Sequence, residues 1–174
     1  MQWDNETGFL LDGQALPTHR TAHVPQTLAY TVEPEYLQTM RIPLVRGRFI
    51  SDEDNEHAMR VAVIDTSFAQ KYFAGHDPIG KHIRVFGFDS DSNQRVEMLL
   101  TIVGVVGHVN QWGLAEDANR PLQAQMYRTV MQGSAVEMKS LAQGFGVFVR
   151  SRTPVGSEAF SQAIRQKLQA SNPD

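Results

Sequence analysis

The amino-acid sequence predicts an α+β domain, a mixed sheet with two or three helices, on three observations. The β-branched run Arg60–Ile64 stands directly before the helical spacing of Thr66–Phe73, the pattern of a strand feeding a helix. Val96–Val109 and Leu122–Val130 read as further strands, antiparallel in character, with no long helix between them. No internal repeat or low-complexity tract is visible, which sets aside repeat proteins and solenoids.

Each element has a local reason. Met1–Pro25 holds a short apolar Phe9-Leu-Leu11, then Asp12-Gly13 and two prolines, so one short strand and a long loop are expected. Gln26–Val32 reads as a strand. Pro34 suits a first helical turn, where its missing N–H is no loss, and Tyr36, Leu37 and Met40 fall at helical spacing, which predicts a short helix over Pro34–Met40. Pro43 closes it, Leu44–Arg48 is extended or turning, and Ser51–Glu56 is a polar connection. Arg60–Ile64 has the composition of a buried strand. Thr66 is the expected cap of a helix whose apolar face is Phe68, Ala69, Tyr72 and Phe73. A turn over Gly75–Lys81 then leads into the alternating strand Lys81–Phe86. In Val96–Val109, Gly104 and Gly107 mark a bulge or bend. Leu122–Val130 and Gly146–Arg150 are predicted strands, the second from the alternation Val147-Phe-Val149, with Gly133–Gly144 a helix or loop between them. Pro154 opens a last amphipathic helix carrying Phe160, Ile164 and Leu168, with Arg165 and Lys167 toward the end that favours cations.

Totals narrow the function. A chain of 174 residues fits one ordinary domain or two small intimate subdomains, and can bury roughly 70% of its unfolded surface. Sixteen basic against 19 acidic residues, net −3, with no basic run interleaved with aromatics, speaks against nucleic acid as a partner. The longest largely apolar run, Met98–Val109, is far shorter than the roughly 20 residues that cross a bilayer, so this stretch is expected to lie outside the membrane. No basic segment followed by an apolar one opens the chain, so export is not legible from the N-terminus. The absence of cysteine removes disulfides, thiolate nucleophiles and thiolate metal sites together.

Gly75-His-Asp-Pro-Ile-Gly-Lys-His82 nearly spells the phosphate loop G-x-x-x-x-G-K-[ST], but His82 stands where a hydroxyl is needed and Pro78 removes a backbone donor. A helix precedes and a strand follows, the reverse of the order a phosphate loop requires. A corner fixed by Asp77 and Pro78 and released by Gly80 fits better. Of the six histidines, His19 and His23 have i, i+4 separation but lie between Pro17 and Pro25 with no accompanying carboxylate. Asp89-Ser-Asp91-Ser-Asn93 opens like a calcium loop, yet Gln94 and Leu100 occupy positions that need Gly and a bidentate carboxylate, so a polar hairpin tip is expected. Asp52, Glu53, Asp54 and Glu56 read as a solvated turn, with Asp52 accepting hydrogen bonds from the turn after Arg48. Asn5-Glu-Thr7 is a sequon by three letters only, and no G-x-S-x-G elbow exists. No catalytic, cofactor or metal residue is expected.

Three blocks in fixed order carry a resemblance. Val32-Glu-Pro34-Glu-Tyr36-Leu-Gln-Thr-Met40-Arg-Ile-Pro-Leu-Val-Arg-Gly47-Arg48, then Phe73 through Asp77-Pro-Ile-Gly-Lys81, then Ile102-Val-Gly-Val-Val106 resemble the periplasmic core domain of MacB-like (macrolide-exporter-type, FtsX-like) ABC transporter permeases. Asp52 and Asp54, Val61–Asp65 leading into Phe68-Ala69, and Met126-Tyr127 after Arg120-Pro121 lie between and after the blocks in the same order. The resemblance implies a porter-like α/β subdomain, incomplete here, plus a β-rich subdomain, divided at about 1–60 with 145–174 and about 61–144. It marks Pro34, Tyr36, Gly47, Arg48, Asp77, Pro78, Gly80 and Gly104 as structural motif residues. It further implies a noncatalytic domain at the periplasmic face of a bacterial inner membrane. The implied partners are the permease's own membrane helices, a cytoplasmic ATPase that hydrolyses the ATP, and a periplasmic adaptor. Compared with the family pattern, the chain begins after an initial strand-helix-strand portion and stops before a last strand. Open sheet edges would favour pairing with another chain, so a homodimer stands among the expected partners. The competing expectation is a free-standing ligand-binding or protein-interaction module with Trp112 as a pocket wall.

Overall fold

The computed structural model describes residues 6–15, 24–89, 94–110, 123–133, 138–139, 146–151 and 157–171. Along them run β1 (Glu6–Leu11), β2 (Gln26–Val32), α1 (Tyr36–Thr39), β3 (Leu44–Gly47), β4 (Val61–Asp65) and α2 (Thr66–Tyr72). There follow β5 (His82–Asp89), β6 (Gln94–Val106), β7 (Gln125–Thr129), a 3₁₀ turn over Val130–Gln132 and α3 (Ser157–Ser171).

The seven strands form one mixed sheet in the order β3-β6-β4-β7-β2-β1-β5, and β5 pairs again with β6. Six of the strands therefore close into a ring, with β3 laid beside the end of β6. The β2–β7 and β4–β6 pairs are parallel; the others are antiparallel. Closure depends on the length of β6, whose residues 94–101 pair with β5 and whose residues 101–106 pair with β4. The parallel register slips once, Ala62 lying opposite Ile102 but Val63 opposite Gly104. This is a bulge at the position Gly104 marks in the sequence, just past Thr101, where β6 changes partner.

Alternation along the strands separates two cores. Phe9, Ala29, Ile64, Ile83, Leu100 and Met126 come from the six ring strands and pack in one cluster that Phe68 of α2 joins. Phe9, Phe68 and Tyr72 meet ring to ring at 4.8–5.0 Å. Val63 and Tyr127 point the other way, into a cluster with Leu37, Ile42 and Ile50. With both faces covered, every residue of β4 is buried, which is why Val61–Asp65 reads as a continuous apolar run ending in one acid.

Local expectations meet three outcomes. The short helix after Pro34 is present, and it stops where Arg41 takes the left-handed conformation at φ 56°. The cap of α2 is Asp65 rather than Thr66: Asp65 is still extended, and its carboxylate accepts the Phe68 N–H at 2.7 Å. Gly146–Arg150 is not a strand, because it forms no ladder with any described residue, and Val147, Phe148 and Val149 stay 61%, 55% and 50% exposed. Its alternation is real, but a strand requires a neighbour to hydrogen-bond. β5 and β6 form a hairpin, Asp89 opposite Gln94, whose tip lies outside the described residues, as do His19, His23 and Trp112.

Candidate functional site

Six of the eight sequence-marked residues come together at one corner, where β3, β6 and the 75–81 turn meet. Gly47 and Gly104 lie directly opposite one another. A Cβ on Gly47 would stand 2.2 Å from the Val103 carbonyl oxygen, and one on Gly104 would stand 2.1 Å from that of Arg48. Gly47 also has φ +73°, so two independent constraints exclude a side chain there. The close approach lets Arg48 N–H donate to Val103 O at 3.0 Å. From the turn, Ile79 packs over Gly47, Gly80 N–H donates to Ile102 O at 2.8 Å and Ile102 N–H returns to Lys81 O at 2.9 Å. Arg46 and Asp77 bridge β3 to the turn at 2.7 Å on the surface.

Arg48 extends the corner toward the acidic loop. Its guanidinium donates to both Asp54 oxygens at 2.7 Å, and Ser51 N–H donates to the same carboxylate at 2.9 Å. Burial works against charge on Asp54, whose side chain is 4% exposed, but the Arg48 and Ser51 hydrogen bonds overcome it and hold the carboxyl below its usual range. Arg48 is correspondingly raised, chiefly by its hydrogen bond to Asp54. Asp54 thus takes the role expected of Asp52, which is exposed; only a carboxylate three residues past Ser51 N–H can close this loop and reach Arg48.

The near-phosphate loop is a helix-to-strand corner. Gly75 and Gly80 take φ +77° and +78°. Ile79 N–H donates to Asp77 Oδ1 and Lys81 N–H to Pro78 O. With His76, Ile79, Gly80 and Lys81 N–H groups taken and none on Pro78, most of the donors that would cradle a phosphate are already engaged.

Pro34, which is buried, and Tyr36, packed on the second core, lie apart from this corner. The Tyr36 ring is 6.3 Å from Tyr127 and 5.5 Å from Phe148, edge to face with the latter, and burial raises its phenol. A polar cluster sits beneath: His108 Nδ1 lies 2.5 Å from Asp65 Oδ2, Tyr127 OH donates to Gln125 Oε1, and Gln125 Nε2 donates to Val109 O. Burial, then the charges of Tyr36, Asp65 and Tyr30, push the Tyr127 phenol up. Sequence reading missed this cluster, since Asp65 and His108 are 43 positions apart; the only local signal was an acid before a helix start.

Chemically, the corner is tied by backbone-to-backbone hydrogen bonds with Asp54 and Asp77 accepting from further N–H groups, and the second cluster links side chains to one another and to Val109. Among the described residues no three His, Cys, Asp or Glu side chains gather as a metal set, and no described helix is long and apolar enough to cross a membrane. A shallow depression lined by Thr39, Met40 and residues 148–151 opens beside α1.

The family model described as MacB-like periplasmic core domain matches residues 10–167. The macrolide export ATP-binding/permease protein MacB of Bdellovibrio bacteriovorus is 35% identical over 80 residues, covering 46% of this chain and 12% of that protein. The fold is similar to the periplasmic region of MacB from Actinobacillus actinomycetemcomitans, with TM-score 0.57 and 15% identity over 95% of this chain and 64% of that one. It is likewise similar to a domain of a putative permease from Porphyromonas gingivalis, with TM-score 0.52 and 22% identity over 97% of this chain and 64% of that one. The chain therefore spans less than two thirds of the length of these relatives. A match over residues 10–167, nearly the whole chain, makes this protein a member of the MacB-like periplasmic core domain family.

Proposed function

We propose that the domain is a noncatalytic mechanical relay of an ABC-type export permease, passing ATP-driven movement of the membrane segments outward and docking a periplasmic adaptor. The ATP is hydrolysed by a separate cytoplasmic ATPase domain or subunit. The eight motif residues serve this role by fixing backbone. The observation that carries the reading is β6, a 13-residue strand hydrogen-bonded to β3, β4 and β5. It joins both cores and the glycine corner, so force applied at the β3 edge moves the ring as one body. A second copy of the chain and the permease's membrane helices complete the partners.

The test uses the intact permease with its ATPase in proteoliposomes. A spin label at the exposed Lys71, paired with one in a membrane segment, is expected to change distance between nucleotide-free and ATP-bound states. Unchanged distances under active hydrolysis would sink the relay, and failure of the purified adaptor to coelute would remove the docking role.

A further inference from the structure

Thr101 stands where the sheet changes partner, opposite His82 on β5 and opposite Val61 on β4. Its hydroxyl consequently has a neighbour on each side. His82 Nδ1 lies 3.0 Å from Thr101 Oγ1, and the same hydroxyl lies 3.3 Å from Met59 Sδ. A thioether and an imidazole nitrogen thus converge on one oxygen, although His82 and Met59 are far apart in the chain and neither spacing nor motif links them.

The backbone beneath this pair is held from several directions. Thr101 N–H donates to Arg60 O at 2.9 Å. Gln132 accepts from Val61 N–H at 3.0 Å and donates to Met59 O at 3.0 Å and Asn55 O at 3.1 Å. Met59 is nevertheless 61% exposed, so its side chain is not filling a core. Much of the Met59 side chain is open to solvent from a fixed backbone, while its sulfur faces the buried Thr101 hydroxyl next to a partly exposed imidazole.

The donor set selects the ligand. No carboxylate takes part in these contacts, so a hard cation that demands oxygen finds little here. Thioether sulfur with neutral imidazole suits a soft, closed-shell monovalent ion, for which two ligands suffice. We propose that Met59 and His82 form a two-ligand site for a cation of the copper(I) class, with the Thr101 hydroxyl setting their spacing. Binding places the ion between Sδ and Nδ1, while the imidazole proton resides on Nε2 and the hydroxyl turns aside.

Silver(I), which is soft, monovalent and redox-inert, is the probe, titrated into the 174-residue chain in chloride-free buffer and followed by calorimetry and NMR. One equivalent is expected to bind first, shifting the Met59 methyl and His82 ring signals together. Met59→Leu and His82→Gln should each weaken binding by more than about tenfold, since losing even an outer partner of a metal ligand costs that much. Met138→Leu, at a thioether 46% exposed elsewhere, should leave the first equivalent unchanged. Absence of saturable binding, indifference to both ligand substitutions, or equal weakening by Met138→Leu would each overturn the site. Thermal melts check that the variants fold; should His82→Gln fail to fold, the exposed Met59 position decides the question alone.

Discussion

At the scale of single residues, two glycines and one ion pair set the corner. Gly104→Ala places a methyl 2.1 Å from Arg48 O, so β3 must move away from β6; such overpacking costs about 1–3 kcal/mol, measurable by urea denaturation. A loss below about 0.5 kcal/mol, the level of an ordinary surface change, would show that the strands relax apart freely. The second prediction concerns Asp54, whose carboxyl is held lower in the fold than its ordinary value of 3.8. Its contribution is fully present above that ordinary value and is lost as pH falls through the lower folded value. Because Arg48 is 48% exposed, solvent screens the pair, and Asp54→Asn should cost near the lower end of about 1–3 kcal/mol at pH 7. The same substitution should flatten the loss of stability on acidification below about pH 4. Gly104 was legible in the sequence because glycine inside a strand needs a cause, whereas Gly47 and Arg48 were marked only by the family resemblance. Asp54 was harder to separate from Asp52, since choosing between adjacent acids requires knowing which way the loop closes.

Among the elements, α2 shows how one cap can serve two purposes. Asp65 accepts the Phe68 N–H and also meets His108, so Asp65→Ala should destabilise by about 1 kcal/mol or more, while Asp65→Asn, itself a good cap, should retain most of the stability. Thermal unfolding of the two variants distinguishes capping from charge: equal losses would mean that the carboxylate's charge toward His108 dominates. The segment 146–151 gives the opposite lesson. Its alternating valines predicted a strand, but no described residue supplies a ladder, so its amides should exchange with deuterium far faster than those of β4 or β6. Protection there equal to that of β4 would reveal a partner strand. Helix and turn were legible from spacing of a few residues. Pairing was not, because a strand's hydrogen bonds lie on another part of the chain.

For the whole molecule, the closed ring predicts cooperativity. Ile102 lies fully buried within β6, between the glycine corner and the first core, and Ile102→Ala should cost about 2–5 kcal/mol. Because β4 faces both cores, tyrosine fluorescence and far-ultraviolet circular dichroism should report a single coincident transition, in the wild type and in this variant. Two separated transitions would show that the cores melt independently, and would weaken the rigid-body basis of the proposed relay.

The sequence by itself determined the α+β class, the order of most elements, the glycine and proline corners and the family, because these depend on local periodicity, backbone constraint and ordered motifs. Only the tertiary structure decided that six strands close through a bulged β6, that Asp54 and not Asp52 holds Arg48, and that Met59 meets His82 across Thr101. The physical reason is that pairing is not written locally. Ring closure and the contacts across Thr101 depend on which strand edges find one another, and the choice of Asp54 depends on which way its loop closes; a backbone N–H or a carboxylate carries no record of the distant partner it will meet.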